Sequence, residues 1–382
     1  METAQIAVAG LGTMGLGIAQ VFAAAGFPVA ATDAHAPARD SAPARMAAAL
    51  DARVAAGKLS PEARDATLAR LRIVAVPEDL AGSTLAIEAI VEDMAAKRAL
   101  FARIEPGLAA DAVLATNTSS LPLAGVAEGL ARPGRLIALH FFNPAPAMKL
   151  VELAGHAGSD PSALALGRAL AEAAGKTVIA CPDRPGFIVN RCARPFYGEA
   201  LALLEEGRTA AAVDAAMVAA GYRLGPFSLI DLVGADVNLA ATEGLSAAMG
   251  GHPRYHVFAA LRAQVASGAL GRKAGRGFVF PAAPGPAPED APGDAPGDAA
   301  AIVRRIEAAL INEAGWLLAE GGVTAEGIDT AMRLGLNFPH GPFEALARHG
   351  APAIRSTLAE LEARAPAHLA GRYRPAPVLA RD

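Results

Sequence analysis

Cysteine, aromatic residues and long apolar runs are all scarce in this chain, and each scarcity closes a route. Two cysteines among 382 residues, Cys181 and Cys192, cannot build a disulfide framework. Without a clustered set of histidines they also make a poor metal site, so both read as buried structural thiols and no metal is expected. Aromatics supply only 5% of the residues, so the 53% hydrophobic fraction leans on alanine, which favours helix and buries little area. No run approaches the roughly 18 apolar residues of a membrane span, and the first strand-like stretch, Gln5 to Ala9, starts too early for a cleavable signal peptide. A cytoplasmic protein with no membrane partner is expected. Basic charge is not in excess either: 34 Lys and Arg against 38 Asp and Glu leave a net charge of −4, and without a dense Lys/Arg block no nucleic-acid partner is expected.

What the chain does have is length, room for roughly two to three domains, and a strong alternation of patterns. Gln5 to Ala9, Gly15 to Ala25 and Pro28 to Thr32 read as strand, helix, strand, the rhythm of a parallel sheet covered by helices. Pro37 to Leu71 reads as a charged helical hairpin, with Ser60 as N-cap and Pro61 as the first residue of its second helix. Strands resume at Arg72 to Val76, Leu85 to Ile90, Val113 to Thr116, Leu136 to Phe141, Lys149 to Leu153 and Lys176 to Cys181. Beyond the turn cluster Pro182 to Gly186, helical patterns take over. The expected fold is an α/β Rossmann-type N-terminal domain over residues 1–183, with the hairpin inserted at 37–71, followed by two all-α modules at 184–280 and 301–382. Between the modules lies a linker at 281–300, rich in Pro, Gly and Asp.

The two helical modules are an internal duplication. Glu199 to Phe227 contains EALALLEEG, VDAAM and GPF, and Glu313 to Phe343 contains EAGWLLAEG, IDTAM and GPF in the same order. Alanine-rich helices inflate self-similarity, so the Asp-x-Ala-Met and Gly-Pro-Phe matches carry the argument.

Two constellations bear chemistry. Gly10, Gly12 and Gly15 follow an apolar strand and open a helix, where they suit a tight turn, close approach to a pyrophosphate and strand–helix packing. The helix N-terminus then receives the phosphates. Asp33 ends the second strand, where a carboxylate accepts hydrogen bonds from the adenine ribose and repels a 2′-phosphate, so NAD is the expected cofactor. The second constellation is His140, at the end of one strand, and Glu152, on the next. The carboxylate can hold one imidazole nitrogen while the other meets a substrate hydroxyl, an acid/base pair.

Taken together, Gly10 to Gly15, Glu92, Asn117 to Leu121 (NTSSL), His140 to Pro144 (HFFNP), Glu152 and Pro185 to Arg191 (PGFIVNR) resemble the (S)-3-hydroxyacyl-CoA dehydrogenase family, from the first strand through Phe280. The doubled C-terminal module resembles its longer members, including bacterial phenylacetate-pathway enzymes and the dehydrogenase part of the fatty-acid β-oxidation multienzyme. The resemblance implies oxidation of a 3-hydroxyacyl-CoA by NAD, with His140 as general base and Glu152 orienting it. Ser119 and Asn190 are implied to bond the substrate oxygen or thioester, and Asn143 to shape the pocket. Glu92 and Lys97 match positions along the nicotinamide and its ribose, with Asn117 beside them on the cofactor side. The hairpin stands where the family contacts coenzyme A, so Arg39, Arg45, Arg53 and Lys58 are candidates for its phosphates. Lys273 reads as part of a glycine-rich turn and His340 as a loop residue. The second module is expected to occupy the surface across which single-module members pair, giving a monomer with an internal pseudo-dimer, or a homodimer.

Other readings stay open at this point. An acyl-carrier-protein thioester presents the same arm as coenzyme A. Gulonate-type sugar-acid dehydrogenases share a His and a Glu on similar strands, but a proline-rich string follows their His in place of Phe141-Phe142. Dehydrogenases of free 3-hydroxy acids use a lysine on the first long helix, and this chain has none between Lys176 and Lys273. An NAD-binding structural protein is the non-enzymatic alternative.

Overall fold

The computed structural model describes residues 4–281 and 298–380, which gather into two compact units, Met1–Phe187 and Ile188–Asp382. In the first unit the chain runs β1 (Ile6–Ala9), α1 (Thr13–Ala24), β2 (Val29–Thr32), α2 (Ala36–Ala55), α3 (Pro61–Ala69), β3 (Leu71–Ile73), β4 (Leu85–Glu88), α4 (Met94–Ile104) and β5 (Val113–Thr116). It continues through α5 (Leu123–Ala127), β6 (Leu136–Phe141), β7 (Leu150–Gly155), α6 (Pro161–Ala173) and β8 (Thr177–Ala180). The strands form one sheet in the order β3-β2-β1-β4-β5-β6-β7-β8. All neighbours are parallel except β6 and β7, which the loop 142–149 joins as an antiparallel pair.

Alternation within the strands builds a core on each face. Ile6, Val8, Val29, Ile87 and Leu139 point to one side, under Ile18 and Phe22 of α1 and Met46 and Leu50 of α2. Ala7, Ala9, Ala86 and Leu114 point to the other, under Phe101 and Ile104 of α4. Burial on both faces is why these strands read as unbroken apolar runs. Ser60 caps α3 by accepting a hydrogen bond from the Ala63 amide at 3.2 Å, and Pro61 opens the helix. The hairpin thus bends where its sequence places the bend.

The second unit is helical: α7 (Val189–Cys192), α8 (Arg194–Glu205), α9 (Ala210–Ala219), α10 (Pro226–Val233), α11 (Ala235–Ala248), α12 (Ala259–Ala266), α13 (Asp298–Ala319), α14 (Ala325–Leu336), α15 (Pro342–His349) and α16 (Ala351–Arg364). Residues 282–297 of the expected linker lie outside the described residues. Its last three positions, Asp298 to Ala300, belong to α13, where Asp298 pairs with Arg208.

The duplication has a physical unit. In the first copy Asp214 accepts the amides of Phe227 and Ser228 at 2.8 and 2.7 Å, tying α9 to the start of α10. Asp329 does the same for Phe343 and Glu344 at 2.8 and 3.1 Å. The glycine before each Gly-Pro-Phe proline must be bare, because a Cβ on Gly225 or Gly341 would lie 2.3 Å from the aspartate Cγ. The Asp-x-Ala-Met and Gly-Pro-Phe strings are therefore two halves of one capping device.

The copies grip each other reciprocally. Glu199 on α8 accepts hydrogen bonds from Arg305 at 2.7 Å, Arg372 at 2.8 Å and the Tyr373 hydroxyl at 2.9 Å, all from the second copy. Glu313 on α13, its counterpart in the repeat, accepts from Arg191 at 2.7 Å, Arg254 at 2.9 Å and the Tyr255 hydroxyl at 2.5 Å, all from the first. Such an exchange of equivalent contacts is the mark of an isologous, two-fold interface, here within one chain. Burial would raise the Glu199 carboxyl, but Arg372 and Arg305 outweigh it and hold the group below its ordinary value. Neither glutamate is more than 1% exposed; removing Glu199 takes from Arg372 its carboxylate partner and removing Glu313 takes from Arg254 its own, while Arg305 keeps Glu206 and Arg191 keeps Glu320. Glu199→Ala and Glu313→Ala are each expected to lower the stability of the helical unit by about 3–5 kcal/mol. Denaturant unfolding of the full chain checks this, and a loss below about 1 kcal/mol at either position contradicts it.

Candidate active site

The glycine turn joins β1 to α1. Gly10 sits at φ +100°, and a Cβ there would lie 2.5 Å from the Ala89 carbonyl oxygen. A Cβ on Gly15 would lie 1.9 Å from the Gly10 oxygen, so turn and helix pack backbone on backbone. Gly12 differs: nothing lies within 4 Å of its would-be Cβ, and it gives α1 no side-chain cap. Open space over an uncapped helix N-terminus is what a pyrophosphate requires. Asp33 stands directly beyond β2, its Oδ2 accepting the Leu11 amide at 2.7 Å and its Oδ1 the His35 amide at 2.8 Å. Each oxygen keeps a lone pair for a ribose hydroxyl. Arg39 donates to the Asp33 carbonyl at 2.5 Å and Arg45 to the Leu11 carbonyl at 2.7 Å, so these two brace the nucleotide turn, while Arg53 and Lys58 are exposed.

On the far side of the sheet centre, β6 and β7 pair in a register that sets His140 directly opposite Glu152. His140 Nδ1 lies 2.6 Å from Glu152 Oε2, with the imidazole 7% exposed and the carboxylate fully buried. Two rings pack on the imidazole: Phe142 at 4.6 Å and Phe187 at 5.7 Å between centroids. Phe187 holds φ at +45°, a conformation costly for a bulky side chain. Nearby Cys181 is buried, and burial together with the charges of Glu152 and Asp183 pushes its thiol well above the usual range. It stays protonated and inert, as does any thiol so placed; Cys192 is buried too.

Between these two centres lies an ionic cluster. Glu92 Oε1 accepts from the Thr118 hydroxyl at 2.6 Å, the Ser119 amide at 2.9 Å and the Ser120 hydroxyl at 3.0 Å. Burial pushes the Glu92 carboxyl up, yet the Thr118 hydroxyl, Lys97 and the Ser119 amide together hold it below its ordinary value. Lys97, only 1% exposed, bridges Glu88 at 2.6 Å and Glu92 at 3.2 Å. Its ammonium is thus enclosed by carboxylates, and Glu92 is the member of the trio that reaches the surface. Asn117 takes the Phe141 amide on its Oδ1 at 2.8 Å, which ties the end of β5 to the residue after His140. The Ser119 hydroxyl makes only a long contact, 3.5 Å, to Glu92, and Asn143 is exposed on the loop after β6. Asn190 belongs to the helical unit, on α7. There, too, Lys273 pairs with Asp236 at 2.6 Å in its turn. His340 sits in a loop as expected but is buried, with Nε2 2.8 Å from Glu307.

Sequence reasoning passed over Glu88, and it took Thr118, Phe142 and Phe187 only as members of the family strings, with no role of their own. Glu88 carries a signal, as an acid closing an apolar strand in sequence range of a lysine; Phe187 carries none, since its backbone conformation is invisible in the string.

A dinucleotide turn and a histidine–carboxylate pair on one sheet define an NAD-dependent oxidoreductase. Comparison with known proteins gives the family. The NAD-binding domain of 3-hydroxyacyl-CoA dehydrogenase matches residues 5–184, and the C-terminal domain of 3-hydroxyacyl-CoA dehydrogenase matches twice, at 186–280 and 302–381. The chain belongs to the 3-hydroxyacyl-CoA dehydrogenase family, and NAD is its cofactor. It is 37% identical over 274 residues to a 3-hydroxyadipyl-CoA dehydrogenase of Escherichia coli K12, a match covering 71% of this chain and 58% of that protein. A probable 3-hydroxybutyryl-CoA dehydrogenase of Bacillus subtilis is 39% identical over 281 residues, 73% of this chain and 97% of that one. Among solved structures, a 3-hydroxybutyryl-CoA dehydrogenase of E. coli K12 superimposes with a TM-score of 0.91 at 31% identity, covering 100% of this chain and 98% of that one. Among the described residues no helix is long and apolar enough to cross a membrane.

The ionic cluster generates a prediction of its own. Lys97→Met leaves Glu88 buried without a counter-charge and should destabilise the chain by about 3–5 kcal/mol in urea unfolding, most of which Lys97→Met/Glu88→Gln should recover. A double variant no more stable than the single one contradicts the pairing.

Proposed function

We propose that the chain oxidises (S)-3-hydroxyacyl-CoA to 3-ketoacyl-CoA, with His140 removing the proton of the 3-hydroxyl. The observation that carries this reading is the 2.6 Å contact of Nδ1 with Glu152, buried in strand register. With Nδ1–H donated to the carboxylate, Nε2 is the nitrogen that takes the substrate proton, and Glu152 stabilises the imidazolium that results. Bound NAD+ supplies the acceptor for the C3 hydride.

Gly10, Gly12, Gly15 and Asp33 hold the adenosine diphosphate end of the cofactor. Glu92, Asn117 and Asn143 serve its nicotinamide side, and Lys97 acts through Glu92 because it is itself enclosed. Ser119 and Asn190 receive the substrate oxygen or thioester. The substrate partner is a small acyl-CoA; the relatives named above act on 3-hydroxybutyryl- and 3-hydroxyadipyl-CoA, and chains of that length are the first to try. We place the enzyme in the cytoplasm. The reciprocal Glu199 and Glu313 contacts favour a chain whose second copy takes the place of a partner subunit, so that light scattering should return the mass of one chain.

The reaction is read by NADH absorbance with acetoacetyl-CoA. His140→Gln should lower kcat by about 10²–10⁴-fold while the Kd for NADH stays at its wild-type value. Wild-type turnover in that variant removes the assignment. Gly12→Ala should fold normally, since its Cβ meets nothing in the protein, yet bind NADH at least about tenfold more weakly, a cost near 1.4 kcal/mol. Unchanged affinity would move the pyrophosphate away from this turn.

A further inference from the structure

The reaction as described leaves one buried cation unused. Lys176 precedes β8 and is 9% exposed. Its ammonium donates to the Ala145 carbonyl at 2.6 Å and the Met148 carbonyl at 2.8 Å. Among the described residues no carboxylate pairs with it; the acid nearest in sequence, Glu172 on α6, is engaged by Arg168 at 3.1 Å. Burial pulls the ammonium down to about 8, so at neutral pH it remains charged, with two backbone carbonyls in place of a counter-ion.

Both carbonyls belong to the loop that joins the strand of His140 to the strand of Glu152. The loop begins with Phe142, whose ring packs on His140, and Asn143 follows. Its middle lies flush on the dinucleotide helix: a Cβ on Gly17 of α1 would meet Pro146 Cδ at 3.2 Å and Ala145 Cβ at 3.3 Å. Its far end leads into β7, and just before that strand the Lys149 carbonyl accepts the amide of Thr177, one residue beyond Lys176, at 2.8 Å. A single ammonium therefore gathers a loop that touches the imidazole at one end and the cofactor helix in the middle.

We propose that Lys176 is a positioning residue for the reaction, closing the 142–149 loop so that Phe142 holds the His140 ring and Asn143 holds its place. The inference rests on the role given to His140 above. Without the ammonium, two inward-facing carbonyls lose their donors and the loop loosens, while the glycine turn and Asp33 are untouched.

The test uses the full-length enzyme and two independent readouts. In Lys176→Met, kcat for acetoacetyl-CoA reduction should fall about 10- to 100-fold, as expected for slight misplacement of a proton-transfer group, with the Kd for NADH within about threefold of wild type. Amide hydrogen exchange across 142–149 should quicken by about tenfold or more while β1, β4 and β5 keep their protection. Lys176→Arg, still cationic, should recover most of kcat. Lys176→Gln, which keeps N–H donors without the charge, should fall between them and carries the same readouts if the methionine variant does not fold. Wild-type kcat and wild-type exchange in the neutral variants would overturn the proposal. So would exchange that quickens throughout the sheet, or an arginine variant as impaired as methionine, either of which makes Lys176 a packing residue only. The exchange and NADH measurements do not depend on turnover, so a failure of the acyl-CoA assignment is distinguishable from a failure of this one.

Discussion

The chemistry proposed for this protein depends on one hydrogen bond across a strand pair. In an otherwise parallel sheet, β7 runs against β6, and that reversal sets a histidine and a glutamate side by side with their Cβ atoms on the same face. A slip of one residue in the register would send Glu152 to the opposite face and leave His140 without a partner. The register is held from several directions. Apolar side chains of both strands are buried, Asn117 fixes the Phe141 amide, and Lys176 fixes the connecting loop. The His140–Glu152 pair is thus a property of the sheet's topology more than of either residue.

The helical unit solves a different problem with repeated parts. A single copy presents a buried glutamate whose cationic partners lie on the other copy, and each copy supplies what the other lacks. Fusing the copies in one chain makes that exchange intramolecular, so its strength no longer varies with protein concentration. The copies have also diverged. In the second, Glu307 gathers His340 and His349; burial would raise its carboxyl, but the two histidines hold it down to about 2.

Much of this was legible in the sequence, and the physical reasons are specific. The strands announced themselves because both faces are buried. The bend at Ser60 and Pro61 was readable because capping is a local event. The glycine turn was readable because only glycine tolerates its close approaches. The Asp-x-Ala-Met and Gly-Pro-Phe strings proved to be one device, which is why they outlast the surrounding alanines in the repeat. What was hidden is non-local. That Lys97 would be walled in by Glu88 and Glu92, that Arg39 and Arg45 would brace the nucleotide turn, and that Phe187 would pack on the imidazole in a left-handed conformation all depend on distances between strands. His340 was legible as a loop residue but not as a buried one, because its partner Glu307 lies a whole helix away.

The most direct measurement of the central claim is the protonation state of the two His140 ring nitrogens in the resting enzyme, read from their ¹⁵N chemical shifts at neutral pH with His140→Gln as the assignment control. The account predicts a neutral imidazole with the proton on Nδ1, donated to Glu152, and a bare Nε2 whose lone pair is available to the substrate. A resting imidazole protonated on Nε2, with Nδ1 bare, would contradict it, because the nitrogen assigned to the chemistry would then have no lone pair to offer.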